Sequence, residues 1–180
     1  MFIGPLKPRV LIIGHSFVRR ILPHNLQCIF PSFWDVFTVG ISGAKVQNVR
    51  DIIKDYIDLY LPDYVYLQIG GNDINGRNSC MFLFDLLECI YYIKSLGPFV
   101  LFVGGIFPRS LPRNMDAETY NKCKSFVNKQ LHFYLEPHGQ IHFCTSRKFK
   151  ISHLCNDGVH LSRAGQVKWL KEIFHCIKNH

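Results

Sequence analysis

The sequence predicts a three-layer α/β/α sandwich around a parallel sheet, and three patterns predict it. Five short runs are almost continuously apolar, as strands covered on both faces must be. Helical apolar stripes separate or follow them. Glycine-rich segments stand after the runs, where the chain must leave the sheet. Strands alternating with amphipathic helices imply right-handed crossovers and helices on both sheet faces.

The first strand is RVLIIG (9–14). Gly14 ends it, His15 and Ser16 follow, and a charged, helix-like pattern begins. The second run is WDVFTVG (34–40), and the stripe Val46, Val49, Ile53, Tyr56, Ile57 and Tyr60 predicts a helix after it. YVYLQIG (64–70) is the third strand. Its helix carries Leu83, Leu86, Leu87, Ile90 and Ile93, opened by Ser79 and closed by Gly97. FVLFVGG (99–105) precedes a stripe of Tyr120, Cys123, Val127, Leu131 and Tyr134. QIHFC (140–144) is the last strand. A final helix shows Val167, Leu170, Ile173, Phe174 and Ile177, with Ser162 as its N-cap.

A chain of 180 residues is long enough for one substantial core. Residues 9–180 are expected to form one domain, with 1–8 an N-terminal linker or extension punctuated by Pro5 and Pro8. No apolar run reaches the ~18 residues that span a bilayer. The start lacks the charged segment and small-residue cleavage site of a secretory signal. Seven cysteines, an odd number with no C-x-x-C pair, suit reduced thiols better than a disulfide framework. An intracellular setting, cytoplasmic or nuclear, is therefore the expectation. Cys and His do not cluster at zinc-ligand spacing. The net charge of +8 favours polyanions, either nucleic acid or an anionic surface. The basic residues are spread along the chain, with local clusters such as Arg147-Lys148-Lys150, which equally suits a solvated basic surface.

In sheets of this kind ligands bind beyond the carboxyl ends of the strands. The segments expected there are Gly14-His15-Ser16, GISGAKV with Gly40 and Gly43, GGNDING (70–76), GGIFPRS (104–110) and NDGVHLS (156–162). Together they offer a hydroxyl, an amide, a carboxylate and an imidazole, the parts needed for acyl transfer. Ser16 is the candidate nucleophile, and a free hydroxyl needs a base. His160 can supply it, with Asp157 orienting the ring and stabilising the imidazolium. The D-x-x-H spacing fits one tight turn. An oxyanion would need preorganised donors. Ser16 offers its own N–H at a helix start. Gly43 offers an unobstructed backbone N–H, and Asn72 a side-chain amide. Losing one such donor costs about 2.7–4 kcal/mol in the barrier.

These blocks carry a resemblance. GHS, GISGAKV, GGND and DGVHLS, in that order, resemble the four motif blocks of the SGNH hydrolases, a branch of the GDSL-type esterases. The likeness runs from about Val10 to Lys178. It implies a flavodoxin-like sheet of five parallel strands and the roles given above. It also implies that no metal or organic cofactor is used. GIFPRS resembles the family loop that borders the substrate, which makes Phe107 and Arg109 substrate-loop candidates, with Phe17 a further candidate for an acyl pocket. One position departs from the family: His15 stands where an aspartate is usual. That aspartate is not the triad acid, so its loss need not abolish catalysis, but a second imidazole beside the nucleophile could shift the pH profile.

The remaining residues have blander readings. His153 is the nearest rival base, and Asp73 is expected to hold its own turn through backbone N–H groups. The leading expectation is a serine esterase acting on small acyl esters. The altered serine block leaves a catalytically weakened binding module as the alternative. Similar esterase domains are carried in retrotransposon proteins beside nucleic-acid-binding regions, a setting compatible with the basic charge.

Overall fold

A computed structural model of the chain describes residues 7–75, 78–137, 139–146 and 148–180. Most of the expected linker over 1–8 lies outside the described residues, as do Gly76 of the GGNDING run and Arg147 of the basic cluster.

Five strands form one parallel sheet: β1 (Arg9–Gly14), β2 (Asp35–Gly40), β3 (Tyr64–Gln68), β4 (Val100–Gly104) and β5 (Ile141–Cys144). Their order is β2-β1-β3-β4-β5. The first expected run is β1 unchanged, and the other four are these strands trimmed by one or two residues at their ends. Ile69 stays buried but has already left the ladder. The helices are α1 (Ser16–Arg19), α2 (Pro23–Ile29), α3 (Val46–Tyr60), α4 (Ser79–Ser95), α5 (Ala117–Leu135) and α6 (Arg163–Lys178).

The period-two alternation of each strand divides the core. Leu11, Ile13, Val65, Leu67, Leu101 and Val103 face one layer, with Val49, Ile53, Leu86, Ile90, Val127 and Leu131 from α3, α4 and α5. Val10, Ile12, Tyr66 and Phe102 face the other, with Phe17 and Val18 from α1 and Trp169, Leu170, Ile173 and Ile177 from α6. Truncating a side chain buried like Trp169, 1% exposed, to alanine costs about 3–5 kcal/mol.

Helices α4, α5 and α6 each carry a side-chain N-cap. Asn78 accepts from Cys80 N at 2.8 Å, so α4 is capped one residue before Ser79. Asp116 accepts from Thr119 N at 2.8 Å, and Ser162 from Gly165 N at 3.2 Å. Two local expectations change. Tyr134 is 44% exposed and belongs to the outer face of α5, where Leu135 fills the core instead. Helix α2 has no counterpart among the expected stripes, because its only buried residue is Asn25.

The chain runs from β1 outward to β2, then crosses back to β3 on the other side of β1. The topological switch therefore lies between the carboxyl ends of β1 and β3, where such sheets bind ligands. Gly14 and Gln68 are register partners there. A Cβ on Gly14 would stand 2.0 Å from the Gln68 carbonyl oxygen, so only glycine fits.

Candidate active site

Ser16 is the first residue of α1, immediately beyond β1. His15 is the N-cap, and its Nδ1 accepts from Phe17 N at 3.4 Å. The Ser16 N–H donates to nothing among the described residues, as expected for the first N–H of a helix.

A second segment reaches Ser16 from 144 residues away. Cys155 N donates to His160 O at 2.6 Å, and Leu154 and Leu161 form an antiparallel bridge. Within this loop Asp157 Oδ1 accepts from Val159 N at 3.0 Å and His160 N at 2.9 Å. Its Oδ2 lies 2.6 Å from His160 Nδ1. His160 Nε2 lies 2.9 Å from Ser16 Oγ. An ionised carboxylate only accepts, so Nδ1 carries the proton, Nε2 is left as an acceptor and the serine hydroxyl donates to it. The loop is also held from outside: Ser110 N and Leu111 N donate to Gly158 O at 2.9 and 3.3 Å.

Burial pushes the Asp157 carboxyl up, but hydrogen bonds from His160 backbone and side chain and from Val159 N outweigh it and hold the pKa at about 2. Arg20 sits 3.6 Å from Asp157 Oδ2. Both side chains are about half exposed, so the pair contributes little. His153 is engaged elsewhere, its Nδ1 accepting from Lys150 N at 2.9 Å.

Gly43 occupies the tight turn Ile41–Ala44, closed by a bond from Ala44 N to Ile41 O at 3.2 Å. Its φ of 72° is the left-handed conformation that a type II turn requires at that position. The Gly43 N–H has no partner among the described residues, and the space over its Cα is open. Asn72 approaches the same turn: its Nδ2 donates to Ala44 O at 3.0 Å. Asp73, beside it, accepts from Val46 N with both oxygens at 3.2 and 3.3 Å, tying the turn after β3 to the start of α3.

The three substrate-loop candidates are placed differently from the expectation. Phe17 and Phe107 are each 3% exposed and belong to the core layer under α6. Their rings meet edge to face at 5.2 Å, and Phe17 backs the His160 ring at 5.8 Å. Apolar rings next to a sheet face gain more from core packing than from lining an open cleft. Arg109 is 5% exposed and donates from Nη2 to Asn72 Oδ1 at 2.9 Å. No signal in the sequence paired these two residues.

His15 is 1% exposed. Burial, reinforced by the nearby positive charges of Arg109 and His160, lowers its pKa to about 3. It is neutral where histidines ordinarily titrate, so the pH-profile shift anticipated from a second imidazole is not expected of it. Beneath the site, Trp169 Nε1 donates to Tyr66 Oη at 3.2 Å. Tyr66 Oη in turn donates to Gln68 Oε1 at 3.3 Å, and Gln68 Nε2 to Gly105 O at 3.2 Å. Among the described residues no group of three or more His, Cys, Asp or Glu is placed to hold a metal ion. No helix there is long and apolar enough to cross a membrane.

No protein-family model and no curated protein sequence matches the chain. Solved structures do resemble it. A lipase/acylhydrolase from Enterococcus faecalis superposes with a TM-score of 0.75 at 15% identity, covering 96% of each chain. A GDSL-like lipase from Bacteroides thetaiotaomicron gives 0.71 at 16% identity, covering 96% of this chain and 87% of that one. A catalytic mutant of an acetylxylan esterase from Geobacillus stearothermophilus gives 0.66 at 18% identity, covering 93% of both. At such identities the likeness is one of fold, and the fold is the flavodoxin-like α/β sandwich of the SGNH hydrolases.

Proposed function

We propose that the protein is a serine esterase hydrolysing small, acetyl-type carboxylic esters. The observation that carries this reading is the unbroken relay from Asp157 through His160 to Ser16, with its 2.6 and 2.9 Å contacts. Such a relay does what a lone hydroxyl cannot. His160 Nε2 takes the Ser16 proton as Oγ attacks the acyl carbon, and Asp157 stabilises the imidazolium. The tetrahedral oxyanion takes hydrogen bonds from Ser16 N–H, Gly43 N–H and the Asn72 amide. As it collapses, His160 hands its proton to the departing alcohol. A water, deprotonated by the same ring, then releases the acid and restores the serine.

The free N–H groups of Ser16 and Gly43 support the oxyanion assignment. Burial of Phe17 and Phe107 supports a short acyl group, since neither ring offers an open apolar wall. The acetylxylan esterase among the neighbours points the same way.

The test is hydrolysis of p-nitrophenyl acetate against the butyrate and octanoate esters. The acetate is expected to be the best substrate. Ser16→Ala should remove turnover and labelling by a fluorophosphonate probe while leaving the circular dichroism spectrum unchanged. A variant that keeps its rate shows that Ser16 is not the nucleophile.

A further inference from the structure

Arg109 is placed where a cation is expensive. It is 5% exposed, its Nε is buried with no hydrogen-bond partner, and no carboxylate pairs with it among the described residues. Its guanidinium lies 5.1 Å over the Tyr120 ring, and its backbone is clamped by Asn121, which accepts from Arg109 N at 3.3 Å and donates to Arg109 O at 2.8 Å. A buried charge without a counter-ion destabilises a fold, and a thioether of similar length would fill the space without it. One contact gives the charge a purpose: Nη2 donates to Asn72 Oδ1 at 2.9 Å.

We infer that Arg109 is a positioning residue of the oxyanion hole, its donor-only guanidinium locking the Asn72 amide so that Nδ2 keeps one N–H for the oxyanion. The inference rests on the esterase reading above. Its logic is a matter of donors and acceptors. A guanidinium can only donate, and the Ala44 carbonyl that takes the other end of the amide can only accept, at 3.0 Å. Rotating the amide by half a turn would set NH2 against guanidinium and oxygen against oxygen. Both contacts are then repulsive, so the two partners together select one orientation. In that orientation Nδ2 spends one hydrogen on Ala44 and has a second to give. Without Arg109, only Ala44 biases the amide, and Asn72 Oδ1 loses its donor. A hydrogen-bond donor contributes to a barrier only if it is already oriented when charge develops.

The experiment is a double-mutant cycle between Arg109→Met and Asn72→Ala, read as kcat and KM for p-nitrophenyl acetate, with thermal melting as a fold check. In the wild-type background Arg109→Met should lower kcat about 100-fold, the loss of one oxyanion donor, with KM within about 3-fold. In the Asn72→Ala background the same change should cost less than about 3-fold, because there is no amide left to orient. Arg109→Lys should recover about a tenth of the wild-type rate, since an ammonium can still donate to Asn72 Oδ1 but not in the same fork. Equal losses in both backgrounds, or a folded Arg109→Met with wild-type kcat, overturn the inference. If Arg109→Met does not fold, the cycle is run with Arg109→Lys and the same criterion applies. Ser16→Ala, measured alongside, separates the two claims. If it retains turnover, the esterase reading fails; if it is inactive while Arg109→Met is unimpaired, only the role of Arg109 fails.

Discussion

Burying His15 makes the stability of this protein depend on pH in a way that one substitution should remove. The ring is 1% exposed, and its pKa falls from an ordinary 6.5 to about 3, chiefly through burial and then through the charges of Arg109 and His160. Between those two values the unfolded chain binds a proton that the folded chain excludes, so stability declines as the pH is lowered. Going from pH 7 to pH 4.5, the linkage relation gives a loss of about 2.5 kcal/mol from this residue alone. For a chain of this size that is a fall of roughly 5–10 °C in Tm. His142 adds to the wild-type loss, because burial and His180 depress it as well. His15→Asn isolates the term: it keeps an acceptor at the δ position for Phe17 N and cannot be protonated in this range. Urea unfolding at both pH values should show the wild type losing about 2.5 kcal/mol more than the variant, whatever constant offset the smaller side chain introduces. Parallel pH dependences would mean that His15 titrates normally in the folded protein and that no dry, cationic wall borders Ser16.

Asp157→Asn should lower kcat on p-nitrophenyl acetate by about 10³–10⁴-fold with little change in KM, since an amide no longer dictates the tautomer of His160; a loss below tenfold would show that the loop backbone alone orients the ring. Gln68→Met should cost about 1–3 kcal/mol in chemical denaturation, because Gly105 O and Tyr66 Oη lose their buried partner. The same variant should leave the pH dependence unaltered, as neither partner titrates near neutrality.

The candidate site was legible because a parallel sheet converts order along the chain into proximity. Each chemistry-bearing block follows a strand, and all strands end at one edge, so Ser16 and His160 could be paired across 144 residues from pattern alone. Asp157 was legible for a local reason: its three-residue spacing from His160 is short enough for one turn to satisfy both. What the sequence hid depends on side-chain direction. Phe17 lies in the four-residue helix α1 and Phe107 in the loop after β4, both too short for periodicity to tell inward from outward, and the sheet face under α6 claimed both. The bond from Arg109 to Asn72 joins two loops whose relative placement is set by α5 clamping the backbone through Asn121. Helix α2 escaped notice because it begins at Pro23 and buries a polar residue, Asn25, which donates to Gln166 Oε1 at 3.4 Å. Its apolar residues Leu26 and Ile29 are only partly buried, and over seven residues they are too few to read as a stripe.

The two halves of the site use electrostatics differently, and burial is the reason. On the acid side, Asp157 keeps 42% of its side chain exposed, so water screens its charge. Its hold on His160 is therefore local: Oδ1 takes two N–H groups of its own loop, which turns Oδ2 toward Nδ1 at 2.6 Å, with the half-exposed Arg20 further off at 3.6 Å. Beside Ser16 and Asn72 the polar groups are dry. His15 and Arg109 are almost wholly buried, one held neutral and the other charged without a counter-ion. In that low-dielectric wall a cation acts over a longer range than a surface pair such as Arg20 and Asp157. Added salt should thus weaken the Arg20 contact while leaving the buried Arg109–Asn72 contact unaltered. Under the proposed esterase mechanism, a rate on an uncharged ester that stays constant from low to physiological ionic strength is the expected signature, because Arg109 and His15 lie beneath the surface that salt can reach.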